Sequence, residues 1–175
     1  MKKKISTRQI CVLGLLTAFT VILGMFATFR VGNLIKIPLK FVTVFLVGVL
    51  YGPVSAGGVA AIADFLEALK LGVNPFITMV EFIGGVIYGF CFYKAGENRS
   101  YYFRAVICAV LQFLLSFTIM SVILQKMGIY PSFSAAVTMR LPAMIILFVL
   151  HLIVMCGLRT LVFRLKKLIS KDDTV

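Results

Sequence analysis

Long apolar runs separated by short polar stretches set the pattern of the chain. A bilayer core of ~30 Å is crossed by ~20 apolar helical residues, and runs of 18 or more with few charges are read as spans. Six such runs predict helices over residues 9–29, 35–51, 53–71, 75–93, 101–125 and 134–165. The second is short. It reaches a full span only if Ile35 to Lys40 forms its outer end, with Lys36 and Lys40 snorkelling toward the interface. The last is long, so Pro142 is expected to kink or open it, and the basic end from Arg159 onward to leave the bilayer. The fold class expected is an all-α membrane protein, a bundle of six transmembrane helices filling residues 1–175 as one membrane domain.

Turn residues punctuate these runs. Gly52-Pro53 separates the second from the third, and Gly72 with Asn74-Pro75 the third from the fourth. Proline loses no needed hydrogen bond at a helix start. Two spans share an echo, FLVGVLYGP from Phe45 and FIGGVIYGF from Phe82. Its plain meaning is close helix packing through Gly48, Gly52, Gly84, Gly85 and Gly89, and a duplication is the sharper one.

Composition agrees with the pattern: 61% of the 175 residues are apolar and 14% charged, against roughly 45–50% and 25% in a soluble domain. The net charge of +12 is read as topology. With the N-terminus inside, twelve Lys and Arg flank the inner span ends and six the outer, so both termini are expected in the cytoplasm. The basic ends then touch anionic lipid, and no motif for nucleic acid competes with that reading. Cys11, Cys91, Cys108 and Cys156 lack metal or redox spacing and are read as reduced packing residues. No small-residue cleavage site follows the basic start, so the first run is helix 1, not a signal peptide.

The chemistry-bearing residues are few. Asp64, Glu67, Glu81 and Arg140 fall at one level of the outer half of the spans; an ionised group costs ~2.5–3.5 kcal/mol at a helix centre, so within a span it is rarely left without a partner or a cavity. With Arg30, Lys36 and Lys40 in the first outer loop and Phe76, Phe82, Tyr130 and Phe133 nearby, they outline an outward-facing small-molecule site. The competing reading is an ion-pair stripe, since Asp64, Glu67 and Lys70 share one helix row. His151 stands alone and is expected to pack or to bond backbone. No catalytic, nucleotide, cofactor or metal motif occurs, so neither an enzyme nor an energy source is written in the chain. Gly14 and Ala18, four apart on helix 1, make a small face for another helix, either in the bundle or on a partner.

The stretch IKIPLKFVTVFLVGVLYGPVSAGGVAAIADFLEAL from Ile35 to Leu69, with NPFITMVEFIGGVIYGFCFYK from Asn74 and MRLP from Met139, resembles the substrate-binding S components of energy-coupling factor (ECF) vitamin transporters, most of all the folate-type members. The resemblance covers nearly the whole chain. It implies a multi-pass protein of the bacterial cell membrane, without a cofactor, that binds a vitamin. It also implies a membrane coupling subunit and two cytoplasmic ATPases as partners, with Gly14 and Ala18 matching the small coupling face of helix 1. Substrate binding would fall to Arg30, Lys36, Asp64, Glu81, Phe76 and Arg140: the cations for a carboxylate, the acids for ring N–H donors, the aromatic for stacking. Folate has both ends. An S component for pantothenate or hydroxymethylpyrimidine, or a proton-coupled carrier titrating Asp64, Glu67 or Glu81, are the alternatives.

Overall fold

The computed structural model describes residues 7–26, 28–31, 35–69, 72, 74–93 and 100–172. Helix α1 spans Thr7–Phe26, and an antiparallel ribbon of β1 (Thr28–Val31) and β2 (Ile35–Pro38) follows. Then come α2 (Phe41–Tyr51), α3 (Pro53–Ala68), α4 (Pro75–Phe92), α5 (Ser100–Leu115), a π-helical turn at Ser116–Met120, α6 (Ser121–Lys126), α7 (Phe133–Gly157) and α8 (Arg159–Asp172). Lys70 and residues 94–99 lie outside the described residues.

The ribbon corrects the expectation that residues 35–40 begin the second span and that the first reaches residue 29. Proline offers no N–H and disfavours the α conformation in the residue before it, so a helix cannot be extended backward through Pro38. Alternating Thr-Phe-Arg-Val and Ile-Lys-Ile suit paired strands. Their register sets Arg30 opposite Lys36 and Thr28 opposite Pro38, which stands at the ribbon's end.

Helix boundaries follow local chemistry. Asn74 caps α4 by accepting from Phe76 N at 3.0 Å, with Pro75 in the first turn, and Ser132 caps α7 by accepting from Ala135 N at 3.2 Å. At Gly52 φ is +94°, a conformation costly for any residue with a Cβ, and the chain turns there from α2 into α3. Helix α7 runs through Pro142 without interruption and stops at Leu158, where α8 begins.

The echoed glycines are contact points. A Cβ at Gly48 would stand 2.8 Å from Gly89 N, one at Gly85 2.5 Å from Ala56 O, and one at Gly89 would collide with the Pro53 backbone. Helices α2 and α3 therefore meet α4 backbone to backbone, the geometry small residues allow between helices in lipid. Phe45, Phe92, Tyr101 and Met155 close one end of the core. Phe92 packs edge-on against Phe45 at 5.2 Å, and Tyr101 donates its hydroxyl to Met155 O at 2.8 Å.

Large apolar side chains cover the outside, Leu15, Phe26, Val54 and Phe90 among them. Among the described residues four stretches are long and apolar enough to cross a membrane: Gln9–Phe26, Pro75–Phe92, Ser100–Lys126 and Phe133–Gly157; α2 is a shorter apolar helix. Outward apolar faces on helices of this length are what a bilayer solvates, and the chain is a helical membrane protein.

Candidate functional site

The ribbon delivers Lys40 to the start of α2. Its carbonyl accepts from Thr43 Oγ1 at 2.8 Å and from Val44 N at 3.3 Å, tying the backbone to the first turn. The side chain is buried. Nζ lies 3.6 Å from Asp64 Oδ1, 3.5 Å from Glu67 Oε2 and 3.4 Å from Glu81 Oε1. All three distances exceed the ~2.7–2.9 Å of a strong charge-assisted bond, so one ammonium is shared among three carboxylates. Asp64 is further held by Thr78 Oγ1, which donates to Oδ2 at 2.8 Å. Glu67 Oε1 is buried without a hydrogen-bond partner among the described residues, and a Cβ at Gly24 would collide with the same carboxylate.

Beside this cluster a cavity of about 150 Å3 is lined by Lys40, Phe41, Glu81, Tyr88, Gln112, Phe113, Phe148 and His151, among others. A wider hollow of about 570 Å3 adjoins it and carries Arg140, Tyr130 and Met120. Glu81, Gly84, Gln112, Ser116, Met144 and Leu147 line both, so the two are neighbouring parts of one site. The wider part falls within the ~300–1,000 Å3 of small-molecule pockets, and the narrower holds only a portion of such a ligand. Gln112 stands at the junction, donating Nε2 to Gly84 O at 2.7 Å.

The π turn positions Arg140. Widening the helix by one residue frees backbone from the regular ladder, a feature common at functional sites. Ser116 O accepts from Arg140 NH1 at 3.4 Å, Ser121 Oγ lies 3.3 Å from NH1, and Ser116 Oγ lies 3.3 Å from NH2. The guanidinium is thus held by neutral groups and pairs with none of the three carboxylates.

The structure brings together Lys40, Asp64, Glu67 and Glu81, but it separates the roles the sequence assigned. Glu81 and Arg140 line the site; Asp64 lines neither part and stands behind Lys40. Phe76 sits exposed on the first turn of α4 and lines neither part, and the aromatic wall comes from Phe41, Tyr88, Phe113 and Phe148. Arg30 and Lys36 face one another as register partners, while their side chains lie outside what is described. Gly14 and Ala18 lie on the outer face of α1, and a Cβ at Gly14 would meet nothing within 4 Å. The opposite face buries Thr20, which donates to Thr43 Oγ1 at 2.8 Å. Lys40, expected among the outer-loop cations of the site, is instead its buried hub. Gln112 and His151 were missed as wall residues, and a lone Gln or His inside an apolar run was the available signal.

Comparison with known proteins agrees with this architecture. The profile of the family "ECF-type riboflavin transporter, S component" matches residues 4–163. The folate transporter FolT of Clostridium novyi (strain NT) is 31% identical over 138 residues, 76% of this chain and 77% of that protein. A crystal structure of FolT bound with folic acid superposes with a TM-score of 0.78 at 28% identity, covering 89% of this chain and 94% of the other. The chain belongs to the S-component family of ECF-type transporters, as a multi-pass bacterial plasma-membrane subunit of a transporter and not an enzyme.

Proposed function

We propose that this S component binds folate from outside the cell and passes it to an ECF-type importer whose energy comes from two cytoplasmic ATPases through a membrane coupling subunit. The observation that carries the reading is the two-ended site. Lys40 and Glu81 stand at the narrow aromatic part, and Arg140 at the wide part with no acid paired to it among the described residues. Folate has a flat ring with N–H donors at one end and carboxylates at the other. Glu81 takes ring donors, the aromatic wall packs the ring, and Arg140 takes a carboxylate in charge-assisted bonds. Asp64 and Glu67 hold Lys40 in position, and Arg30 and Lys36, register partners on the ribbon, are further cations assigned to the ligand carboxylates.

The likeness to FolT and to a FolT bound with folic acid supports the ligand class. The six apolar runs support a bundle of six spans, the balance of basic residues supports both termini in the cytoplasm, and helix 1 offers Gly14 and Ala18 to the coupling subunit. A proton-coupled carrier would also use buried acids, but nothing in the site favours it over a binding subunit. The test is retention: the protein purified alone, extracted and analysed by mass spectrometry, yields folate in near-stoichiometric amount. Recovery of riboflavin or pantothenate in its place overturns the ligand, and an empty protein that fails to bind added folate overturns the reading.

A further inference from the structure

His151 is the one histidine of the chain, and its ring stands in the wall of the narrow cavity. Nδ1 lies 2.6 Å from the Leu147 carbonyl one helical turn earlier. A carbonyl can only accept, so Nδ1 carries the hydrogen, and in the neutral ring Nε2 is left as a bare acceptor. Nε2 has no hydrogen-bond partner among the described residues. The ring cannot turn freely to find one: its centroid is 4.2 Å from that of Phe41, and it stacks on Tyr88 at 6.0 Å and 15°.

Other polar groups of this wall have the same character. Gln112 spends an N–H on Gly84 O and leaves Oε1 to accept, and the Glu81 carboxylate is an acceptor throughout. Beside these the narrow cavity sets donors as well: the Lys40 ammonium, already shared among three carboxylates, the second Gln112 N–H, and the Tyr88 and Ser116 hydroxyls, which can turn to donate or accept. The acceptors His151 Nε2, Gln112 Oε1 and the Glu81 carboxylate line one cavity, and a ring edge that carries N–H donors can meet them. An aminopyrimidinone supplies several N–H groups along one edge, whereas an isoalloxazine supplies one ring N–H between two carbonyl acceptors.

We infer that His151 is a specificity-determining residue, its Nε2 accepting an N–H from the heteroaromatic end of the ligand and so favouring amino-substituted pterin rings over flavins. The inference rests on the folate reading and deepens it. A site built to accept from a ligand N–H rejects analogues that lack it, because buried polar groups are then left unpaired.

A single histidine makes the test direct. The chain is produced with 15N-labelled histidine and a tag free of histidine, and folate binding is measured separately by calorimetry. On saturation with folate the resonance of the unprotonated ring nitrogen moves upfield, as hydrogen-bond acceptance requires, while the Nδ1–H resonance stays that of a donor. His151→Phe, which keeps an aromatic ring against Phe41 and Tyr88, weakens folate roughly tenfold to a hundredfold. Folate that binds while leaving the nitrogen resonance in place overturns the role of His151 alone. A parent protein that binds no folate by calorimetry overturns the ligand assignment and this inference with it.

Discussion

Lys40 Nζ stands 3.4 Å from Glu81 Oε1, a contact that fastens the turn ahead of α2 to the middle of α4. The same ammonium reaches Asp64 and Glu67 on α3, so one side chain ties three segments.

Loss of that cation therefore exposes three carboxylates to one another. Removing one partner of a buried pair costs roughly 3–5 kcal/mol, and the low end applies here because Glu81 keeps some solvent contact. Lys40→Met is expected to lower the thermal midpoint of the detergent-solubilised protein by several degrees, and Lys40→Met with Glu67→Gln to recover part of it. A Lys40→Met midpoint equal to the parent's would mean that the cluster contributes nothing to stability.

The backbone contact between α3 and α4 predicts a contrast between two glycines. Gly85→Val drives a side chain into Ala56 O, whereas Gly58→Ala meets open space. Overpacking costs roughly 1–3 kcal/mol, so Gly85→Val should reduce the yield of folded protein and its melting temperature. Gly58→Ala should change the helix only in the direction of its better propensity. Thermal-shift measurement on both distinguishes this from a generic intolerance to change.

The outer face of α1 predicts a separation of functions. Gly14→Leu with Ala18→Leu should leave folate affinity unchanged, because neither residue lines the site, and abolish uptake and co-purification with the coupling subunit. Uptake at the parent rate would remove this face from the interface.

Orientation is tested by labelling. A cysteine placed at Asn33 in a background with the native cysteines replaced should react with an impermeant maleimide on intact cells, and one at Asn98 only after permeabilisation. The reverse pattern would invert the topology.

The helical, membrane-spanning character was legible because it rests on run length and composition, which need no tertiary information. The acid cluster was legible for the same reason: Asp64, Glu67 and Glu81 are conspicuous in apolar sequence. What escaped was how they are shared out. Periodicity sets Asp64 and Glu67 on one row of α3, but only the chain's return through the ribbon brings Lys40 between them and Glu81. The ribbon itself was misread as helix because hydropathy is blind to Pro38, which keeps the residue before it out of the α conformation and so bars a helix from running back through it. Phe76 and Asp64 were assigned to the ligand on level alone, and side-chain direction then turned one outward and the other behind Lys40. Arg140 acquires its direction from the π turn at Ser116, a local event that average helix geometry does not announce.

Equilibrium binding of folate to the purified chain and to its Glu81→Gln and Arg140→Gln variants tests the central claim most directly. The parent should bind folate tightly and in preference to riboflavin. Each variant should lose roughly 30-fold to several thousand-fold, the range for removing one partner of a desolvated charge pair at ~2–5 kcal/mol, while remaining folded by thermal shift. Folate binding by both variants at parental affinity, or a parent that prefers riboflavin, would contradict the account.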